Sequence, residues 1–278
     1  MICAGIDAGS RSTKVVLLDA EQGALRGRGA CDQGVEQESL ASALLERTCA
    51  EAGIERQHLG AIVATGYGRN LLGFADCTIT EITCHARGVY HLLPATRTVI
   101  EIGGQDSKCL FLEDRGRVRD FAMNDRCAAG SGRFLELVAS QLEVSLPALG
   151  DLGRESCDPA LISSMCVVFA ETEIIGLLAR GLSRADIAAG VQNAIAQRVV
   201  ALTGRSAQPP IAFTGGVALL PGMTRALEQA LRHPVTVPEL PQYTGALGAA
   251  LLAGERFKEN PARVQTARRE GAVFSKGR

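Results

Sequence analysis

The chain contains an internal repeat: Ile6–Asp19 and Ile100–Glu113 align without a gap at an offset of 94 residues. Each segment reads as the acidic end of an apolar strand, a glycine turn, small polar residues, a lysine and a second apolar strand. This order predicts two β-hairpins with oxygen acceptors and small donors at their tips. Two such tips facing one another can hold a phosphate chain and its Mg²⁺. One hairpin alone would be weak evidence, because glycine and aspartate occur in ordinary turns, but a repeat indicates architecture.

Composition excludes several classes of protein. The net charge of −1 over 278 residues argues against nucleic acid as the main partner. No apolar run has the roughly 18 residues that cross a membrane, and strand residues begin at Ile2, so we expect no membrane association and no signal peptide. The nine cysteines include no C-x-x-C pair. They predict reduced thiols, some of them metal ligands, in a cytoplasmic protein rather than a disulfide scaffold.

Apolar runs alternate with amphipathic segments, which predicts an α/β chain. The predicted strands are Ile2–Ile6, Val15–Asp19, Ala61–Thr65, Thr98–Ile102, Cys109–Leu112 and Ile211–Thr214. The predicted helices are Glu38–Ala52, Gly132–Leu142, Val167–Arg180, Arg184–Leu202, Gly222–Leu231 and Gly245–Leu252. Pro94 precedes the second hairpin and marks a boundary between two halves. We therefore expect a first half at 1–95, a second half at 96–244, a C-terminal helix at 245–254 and a polar tail at 255–278.

Two further glycine clusters follow apolar strands. The sequence has no G-x-x-x-x-G-K-[ST] motif and no G-x-G-x-x-G after a strand, so neither a P-loop nor a Rossmann site is predicted. In 214–217 (TGGV), glycines let the backbone approach a flat ligand such as adenosine, or they make a tight strand-to-helix turn. The segment 65–69 (TGYGR) has the same ambiguity and could support either the nucleotide or an interface.

The two hairpins followed by a TGG turn resemble the actin/hexokinase/heat-shock chaperone ATPase superfamily. The resemblance implies two ribonuclease-H-like halves with ATP in a cleft between them, and a C-terminal helix that returns to the first half. It places on the side that binds Mg²⁺ and water three residues: Asp7, Asp106 and Gln105. It assigns to the phosphates Gly9, Ser10, Ser12, Thr13, Lys14, Gly103 and Gly104. It assigns to the adenosine Gly215, Gly216 and Val217. For Lys14 an ordinary solvated lysine remains the alternative.

Two cysteines precede predicted helices, Cys127 in 124–132 (NDRCAAGSG) and Cys166 in 163–166 (SSMC). A helix N-terminus favours thiolate over thiol and would equally stabilise an anionic iron–sulfur cluster. Two cysteines are too few for a four-cysteine cluster, but a symmetric dimer would supply four. The spacing alone leaves the alternative that both are ordinary buried residues. For the pair Cys84–His85 we expect packing or contacts between the two halves, although cysteine and histidine can also form a nucleophilic couple.

Six segments carry a narrower resemblance: NDRCAAGSGRFLE, SSMCVVFAETEI, ATGYGRN, EIGGQDSK, TEITCHARG and AFTGGVA. They look like the ATP-dependent activators of 2-hydroxyacyl-CoA dehydratases and the related ATPase subunits of benzoyl-CoA reductases. The resemblance covers roughly residues 1–254. Arg126 and Ser131 stand where these activators often have Lys and Thr, which keeps the charge and the hydroxyl.

This resemblance implies a homodimer with one bridging [4Fe-4S] cluster, ligated by Cys127 and Cys166 of each subunit. A reduced ferredoxin or flavodoxin supplies one electron, and ATP hydrolysis drives a conformational change that passes it to a dehydratase or reductase. Two alternatives stay open, a small-molecule kinase of the same superfamily and a regulatory protein that senses nucleotide. Neither alternative gives the two cysteines a role.

Overall fold

The structure, a computed structural model, describes residues 1–125, 128–163, 167–204 and 206–259. The strands in these ranges are β1 Ile2–Ala8, β2 Ser12–Asp19, β3 Ala24–Asp32, β4 Ile62–Thr65, β5 Cys77–Thr78, β6 Thr98–Ile102, β7 Ser107–Leu112, β8 Val118–Asn124, β9 Ile211–Thr214 and β10 Val235–Thr236. The helices are α1 Gln37–Glu51, α2 Glu81–Leu92, α3 Gly132–Gln141, α4 Leu146–Arg154, α5 Val167–Ala179, α6 Arg184–Thr203, α7 Met223–Leu231 and α8 Thr244–Glu259. None of the helices in the described ranges is long and apolar enough to cross a membrane.

The strands form two five-stranded sheets with the same topology. In the first sheet the order is β3-β2-β1-β4-β5, and in the second it is β10-β9-β6-β7-β8. In each sheet the first three strands along the chain are antiparallel neighbours, and the last two run parallel to the first. The internal repeat therefore extends from the two predicted hairpins to all five strands of each sheet.

All six predicted strands and all six predicted helices are present, with shifts of a few residues at their ends. The prediction omitted β3, β5, β8, β10, α2 and α4. The reason is clearest for β3, where every residue is exposed or only partly buried, so the strand contains no continuous apolar run. By contrast β6 is buried along its whole length, as is typical of a central strand covered on both faces.

Contacts divide the chain into two compact units, and each has its own hydrophobic core. The first unit comprises Met1–Pro94, Arg115–Arg117 and the chain from Tyr243 onward, and the second comprises Ala95–Asp114 and Val118–Gln242. The core of the first unit is formed mainly by β1, β2, β4 and α1. The core of the second unit is formed by its central strands and by α3 to α7.

Helix α8 packs closely on both β1 and α2 within the first unit. A side chain at Gly5 in β1 would overlap the backbone of Ala246 and Ala250, and one at Gly248 would overlap the Cys84 carbonyl of α2. Small residues at these contacts let backbones approach closely. The helix continues to Glu259, five residues into the segment that the sequence assigns to a polar tail.

Candidate functional site

The first hairpin, β1–β2, brings together an acid and a lysine. Asp7 and Lys14 are directly opposite in the antiparallel register, and Asp7 Oδ2 lies 3.7 Å from Lys14 Nζ. Asp7 is buried, whereas the Lys14 side chain is 17% exposed. The Gly9 N–H closes the turn by donating to the Ser12 carbonyl at 3.2 Å, and Ser10 lies in this turn. The hairpin thus presents a lysine that has a carboxylate neighbour and still reaches solvent.

Gln33, the residue after β3, stabilises the tip of this hairpin. Its Nε2 donates to the Gly9 carbonyl at 2.8 Å, and its Oε1 accepts from Thr13 Oγ1 at 3.4 Å. An added Cβ at Gly9 would lie 2.9 Å from the Ser12 carbonyl oxygen. The tip is therefore held in one conformation that leaves no room for a side chain at Gly9.

The Asp7 carboxylate is enclosed by two glycines. Gly66 follows β4, has a φ of +86°, and faces Asp7 Oδ1 so closely that a side chain there would overlap it. An added Cβ at Gly245, in the first turn of α8, would lie 3.1 Å from both Asp7 Oδ2 and His85 Nε2. His85 Nδ1 lies 2.9 Å from Thr244 Oγ1 in a buried contact. The N-terminal end of α8 therefore lies near the Asp7 carboxylate.

The second hairpin, β6–β7, places a lysine between two carboxylates. Lys108 Nζ donates to Glu101 Oε2 at 3.0 Å and to Asp106 Oδ2 at 2.7 Å. The Lys108 side chain is 3% exposed and the Asp106 side chain 22%. The Gly103 N–H closes the turn by donating to the Asp106 carbonyl at 3.0 Å, and Gln105 is exposed in this turn. The turn geometry repeats that of the first hairpin, but here the lysine is buried.

The repeat identifies a residue that the sequence analysis left out of the predicted site. At the offset of 94 residues the equivalent pairs are Asp7 and Glu101, Lys14 and Lys108, and Ser12 and Asp106. Glu101 is thus the counterpart of Asp7, and its register opposite Lys108 repeats that of the first pair. The ungapped alignment already contained this signal. The resemblance to the superfamily assigned the Mg²⁺ and water side of the site to Asp106 instead.

The glycine turn after β9 lies against Glu101. β9 runs parallel to β6, with Thr214 beside Glu101. Gly215 has a φ of +89°, and a side chain there would overlap the Ile102 carbonyl and approach Glu101 Oε1 to 2.8 Å. The Thr214 hydroxyl is buried and has no hydrogen-bond partner among the described residues. A buried, unsatisfied hydroxyl beside a glycine turn is a place where a ligand or water would bind.

Gly216 and Val217 begin the short helical turn that follows. An added Cβ at Gly216 would meet no atom within 4 Å, so this glycine borders open space, while Val217 is buried. The sequence left open whether this segment is a tight turn or an approach to a flat ligand. The structure has the geometry of both, a tight turn at Gly215 and an open backbone surface at Gly216.

The first turn of α3 is hydrogen-bonded to the loop of the second hairpin. The Gly132 N–H donates to the Gly103 carbonyl at 2.8 Å, and the Arg133 N–H donates to the Gly104 carbonyl at 2.8 Å. An added Cβ at Gly132 would lie 3.4 Å from Val217 Cγ2. The start of α3 therefore contacts both the hairpin loop and the glycine turn.

The two predicted cluster ligands, Cys127 and Cys166, lie outside the described residues. None of the described cysteines forms a disulfide: Cys3, Cys31, Cys49, Cys77, Cys84, Cys109 and Cys157. Within the described ranges, no group of three or more His, Cys, Asp or Glu side chains could hold a metal ion. Burial raises the pKa of Cys84 to about 12, so this thiol is not a nucleophile at neutral pH. Cys84 lies in a buried apolar cluster of the first unit, which confirms packing for this residue.

Comparison with known proteins decides the family. The model of the BadF/BadG/BcrA/BcrD ATPase family matches residues 4–253. The chain belongs to the BadF/BadG/BcrA/BcrD ATPase family. It is therefore an ATP-hydrolysing enzyme, and the resemblance found in the sequence is confirmed.

Relatives in this family include activators of dehydratases. The chain is 43% identical over 260 residues to the activator of lactoyl-CoA dehydratase of Anaerotignum propionicum, covering 92% of this chain and 98% of the relative. It is 30% identical over 269 residues to a subunit of the benzoyl-CoA reductase of Thauera aromatica, covering 93% and 95%. The match to these BadF/BadG/BcrA/BcrD relatives therefore spans nearly their whole length.

A solved structure of a relative shows the same fold. The activator of the 2-hydroxyisocaproyl-CoA dehydratase from Clostridium difficile, solved with bound ADPNP, superimposes with a TM-score of 0.88 at 40% identity. The match covers 93% of this chain and 96% of the other. Together with the two equivalent sheets, this likeness confirms the predicted actin-like ATPase fold of the BadF/BadG/BcrA/BcrD ATPase.

Proposed function

We propose that the chain is an ATP-dependent activator of a 2-hydroxyacyl-CoA dehydratase or of a related acyl-CoA reductase. The relatives named as a dehydratase activator and as part of a reductase support this proposal. In each unit a hairpin with an acid and a lysine contributes to the ATP site. The residues are those the sequence selected: Asp7, Asp106 and Gln105 on the Mg²⁺ and water side, Gly9, Ser10, Ser12, Thr13, Lys14, Gly103 and Gly104 for the phosphates, and Gly215, Gly216 and Val217 for the adenosine.

In this proposal the chain acts as a homodimer in the cytoplasm and receives electrons from reduced ferredoxin or flavodoxin. Cys127 and Cys166 of each subunit hold a bridging [4Fe-4S] cluster, which when bound supplies a one-electron carrier of low potential. In the sequence, Cys166 immediately precedes Val167, the residue at which α5 begins, and a cysteine before a helix is of the kind that favours thiolate.

The observation that carries the proposal is the hydrogen bonding of α3 to the second hairpin. Gly132 and Arg133 donate to the carbonyls of Gly103 and Gly104, which are the proposed phosphate-binding residues. Cys127 precedes Gly132 by only five residues. A movement of the hairpin loop on loss of the γ-phosphate is thus passed through two backbone hydrogen bonds to the helix that follows a cluster ligand.

Iron and acid-labile sulfide, measured after anaerobic purification, test the cluster. We expect about four irons per dimer in the wild type, as in a [4Fe-4S] cluster. Cys127→Ala and Cys166→Ala should lose the iron and still bind ATP. An iron-free wild type that hydrolyses ATP or phosphorylates a metabolite would overturn the proposal in favour of a kinase or a nucleotide sensor.

Gly132→Pro tests the coupling. Proline lacks an N–H and is tolerated at the first position of a helix, and Ser131 already has the extended backbone that a following proline requires. The variant therefore removes the hydrogen bond to Gly103 and keeps α3. We expect ATP to change the rate at which a chelator extracts iron from the wild type. Gly132→Pro should weaken this change, since only the bond from Arg133 to Gly104 remains, while ATP hydrolysis continues.

Gly132→Ala is the matched control, because it adds the same Cβ, 3.1 Å from the Gly103 carbonyl oxygen, and keeps the N–H. It should retain the ATP effect on iron extraction. Equal behaviour of the two variants would contradict a role for this hydrogen bond.

A further inference from the structure

Glu101, Lys108 and Asp106 form a hydrogen-bonded series that runs from the interior of the second unit to its surface. The Glu101 side chain is 6% exposed, the Lys108 side chain 3%, and the Asp106 side chain 22%. Lys108 uses two of its three N–H donors on the two carboxylates. Asp106 is therefore the accessible member of the series, and Glu101 and Lys108 support it from below.

The oxygen atoms that do not bond Lys108 face the two glycine turns. Glu101 Oε1 would lie 3.2 Å from a Cβ at Gly103 and 2.8 Å from one at Gly215. Asp106 Oδ1 would lie 2.8 Å from the same added Cβ at Gly103. The series is thus packed against both the hairpin loop and the turn after β9. A change in the orientation of Glu101 or Lys108 alters the position of Asp106 relative to both turns.

The charge of the series differs from that of the equivalent pair in the first unit. The formal charges of these three side chains sum to −1, whereas those of Asp7 and Lys14 sum to zero. Lys14, by contrast, lies 3.7 Å from its carboxylate neighbour and is partly exposed. The two lysines are therefore in positions suited to different tasks.

We propose that Glu101 and Lys108 are positioning residues for ATP hydrolysis. Glu101 fixes the Lys108 ammonium, the ammonium fixes Asp106 Oδ2, and Asp106 is thereby held in one orientation toward the attacking water. Lys108 does not neutralise phosphate charge, a task left to Lys14. The inference rests on the proposed function only in assigning Asp106 to the water side of the ATP site. The series formed by Glu101, Lys108 and Asp106 therefore affects the turnover rate rather than ATP binding.

Steady-state ATP hydrolysis by the full-length dimer, with no partner enzyme present, tests the inference. Glu101→Gln should lower kcat by about 10–100-fold, since misplacement of a catalytic group by 1 Å can cost about 100-fold. The KM for ATP should stay within about threefold. Lys14→Met should show the reverse pattern, a raised KM with a smaller change in kcat, because it removes binding energy. An effect of Glu101→Gln on KM alone would overturn the proposal.

A double-variant cycle shows whether Glu101 acts through Asp106. Asp106→Asn should lower kcat at least as much as Glu101→Gln. Adding Glu101→Gln to Asp106→Asn should then change kcat by less than about threefold, because residues acting as a unit are non-additive. Fully multiplicative effects would show that Glu101 acts independently and would contradict the inference.

A charge-balanced variant distinguishes the effect of Asp106 orientation from the effect of net charge. Its binding of an ATP analogue shows whether the protein is folded. Glu101→Gln combined with Lys108→Met removes one negative and one positive charge, so Asp106 alone preserves the net charge of −1. We expect this variant to bind a non-hydrolysable ATP analogue like the wild type and to keep the low kcat of Glu101→Gln. A wild-type kcat would show that only net charge matters. A wild type without ATPase activity would instead refute the proposed function, so the two failures are distinguishable.

Discussion

The two hairpins have the same backbone register but hold their lysines in different ways. In the first, Lys14 lies beside Asp7 and remains partly exposed. In the second, Lys108 is buried and bonded to Glu101 and Asp106. The difference follows from one equivalent position, which is Ser12 in the first hairpin and Asp106 in the second. A duplicated backbone can thus hold one lysine partly exposed and bury the other between two acids.

Replacement of the two lysines should give the largest contrast in stability. Lys108→Met removes the cation from one buried carboxylate, Glu101, and from one partly exposed carboxylate, Asp106, and breaking a buried ion pair costs about 3–5 kcal/mol. Lys14→Met leaves one carboxylate near the N-terminus of α8 and should cost about 1–2 kcal/mol. Urea unfolding at neutral pH, followed by circular dichroism, measures both. Equal losses of free energy of unfolding would remove the distinction between the lysines.

Replacement of the glycines that follow β4 and β9 should lower the free energy of unfolding in a similar way in the two units. Gly66 and Gly215 have φ values of +86° and +89°, and a non-glycine residue in such a conformation costs about 1–3 kcal/mol. Each Gly→Ala variant should lose at least this free energy of unfolding, because the added Cβ also overlaps an acidic side chain or a carbonyl.

Gly216→Ala is the control for this pair. Its Cβ would enter open space, and its stability should stay within about 0.5 kcal/mol of the wild type. If Gly66→Ala and Gly215→Ala resembled this control, the two turns would not be the constrained elements that the structure describes.

Acid titration should give the smallest effect and another contrast between the units. A hydrogen bond from Arg26 lowers the pKa of Asp19 to about 2 in the first unit. Hydrogen bonds from the Ser183 and Ser156 hydroxyls lower the pKa of Asp186 to about 2 in the second. Because both folded-state pKa values lie below the ordinary value of 3.8, their contributions to stability are present above about pH 4 and are lost as the pH falls toward 2.

Asp19→Asn and Asp186→Asn should each flatten the fall in free energy of unfolding between pH 4 and pH 2. High salt should weaken the Asp19 contribution, because Arg26 is an exposed cation and is screened. The Asp186 contribution rests on neutral hydroxyl donors and should be less sensitive to salt. The same salt dependence in both variants would contradict this difference.

The sequence predicted the elements that consist of continuous apolar residues. Strands β1 and β6 carry such runs, the predicted helices were found as amphipathic segments, and the repeat around Asp7 and Glu101 predicted the two hairpins. Edge strand β8 was missed because its residues are exposed or only partly buried, so hydrophobic periodicity is weak. Helix α2 was missed too, although it supplies His85 to the site.

The contacts of the site depended on strand order, which local sequence does not determine. That Gly66 faces Asp7 and Gly215 faces Glu101 follows from the parallel pairing of β4 with β1 and of β9 with β6. The bonds from Gly132 to the hairpin loop likewise join segments 29 residues apart. The sequence could select these residues, but only the fold could show which of them touch.

Because α8 packs on β1, the first unit can complete its fold only after the C-terminal part of the chain has been synthesised. The first unit cannot complete its core when residues 1–94 leave the ribosome, because Gly5 and its neighbours pack on a helix that begins at Thr244. The second unit lies almost entirely between these two segments and is synthesised before that helix. The usual order, in which the N-terminal part folds first, is therefore reversed. In a nascent chain stalled before Thr244, the second unit would be folded, whereas the first sheet would lack its packing helix and remain exposed.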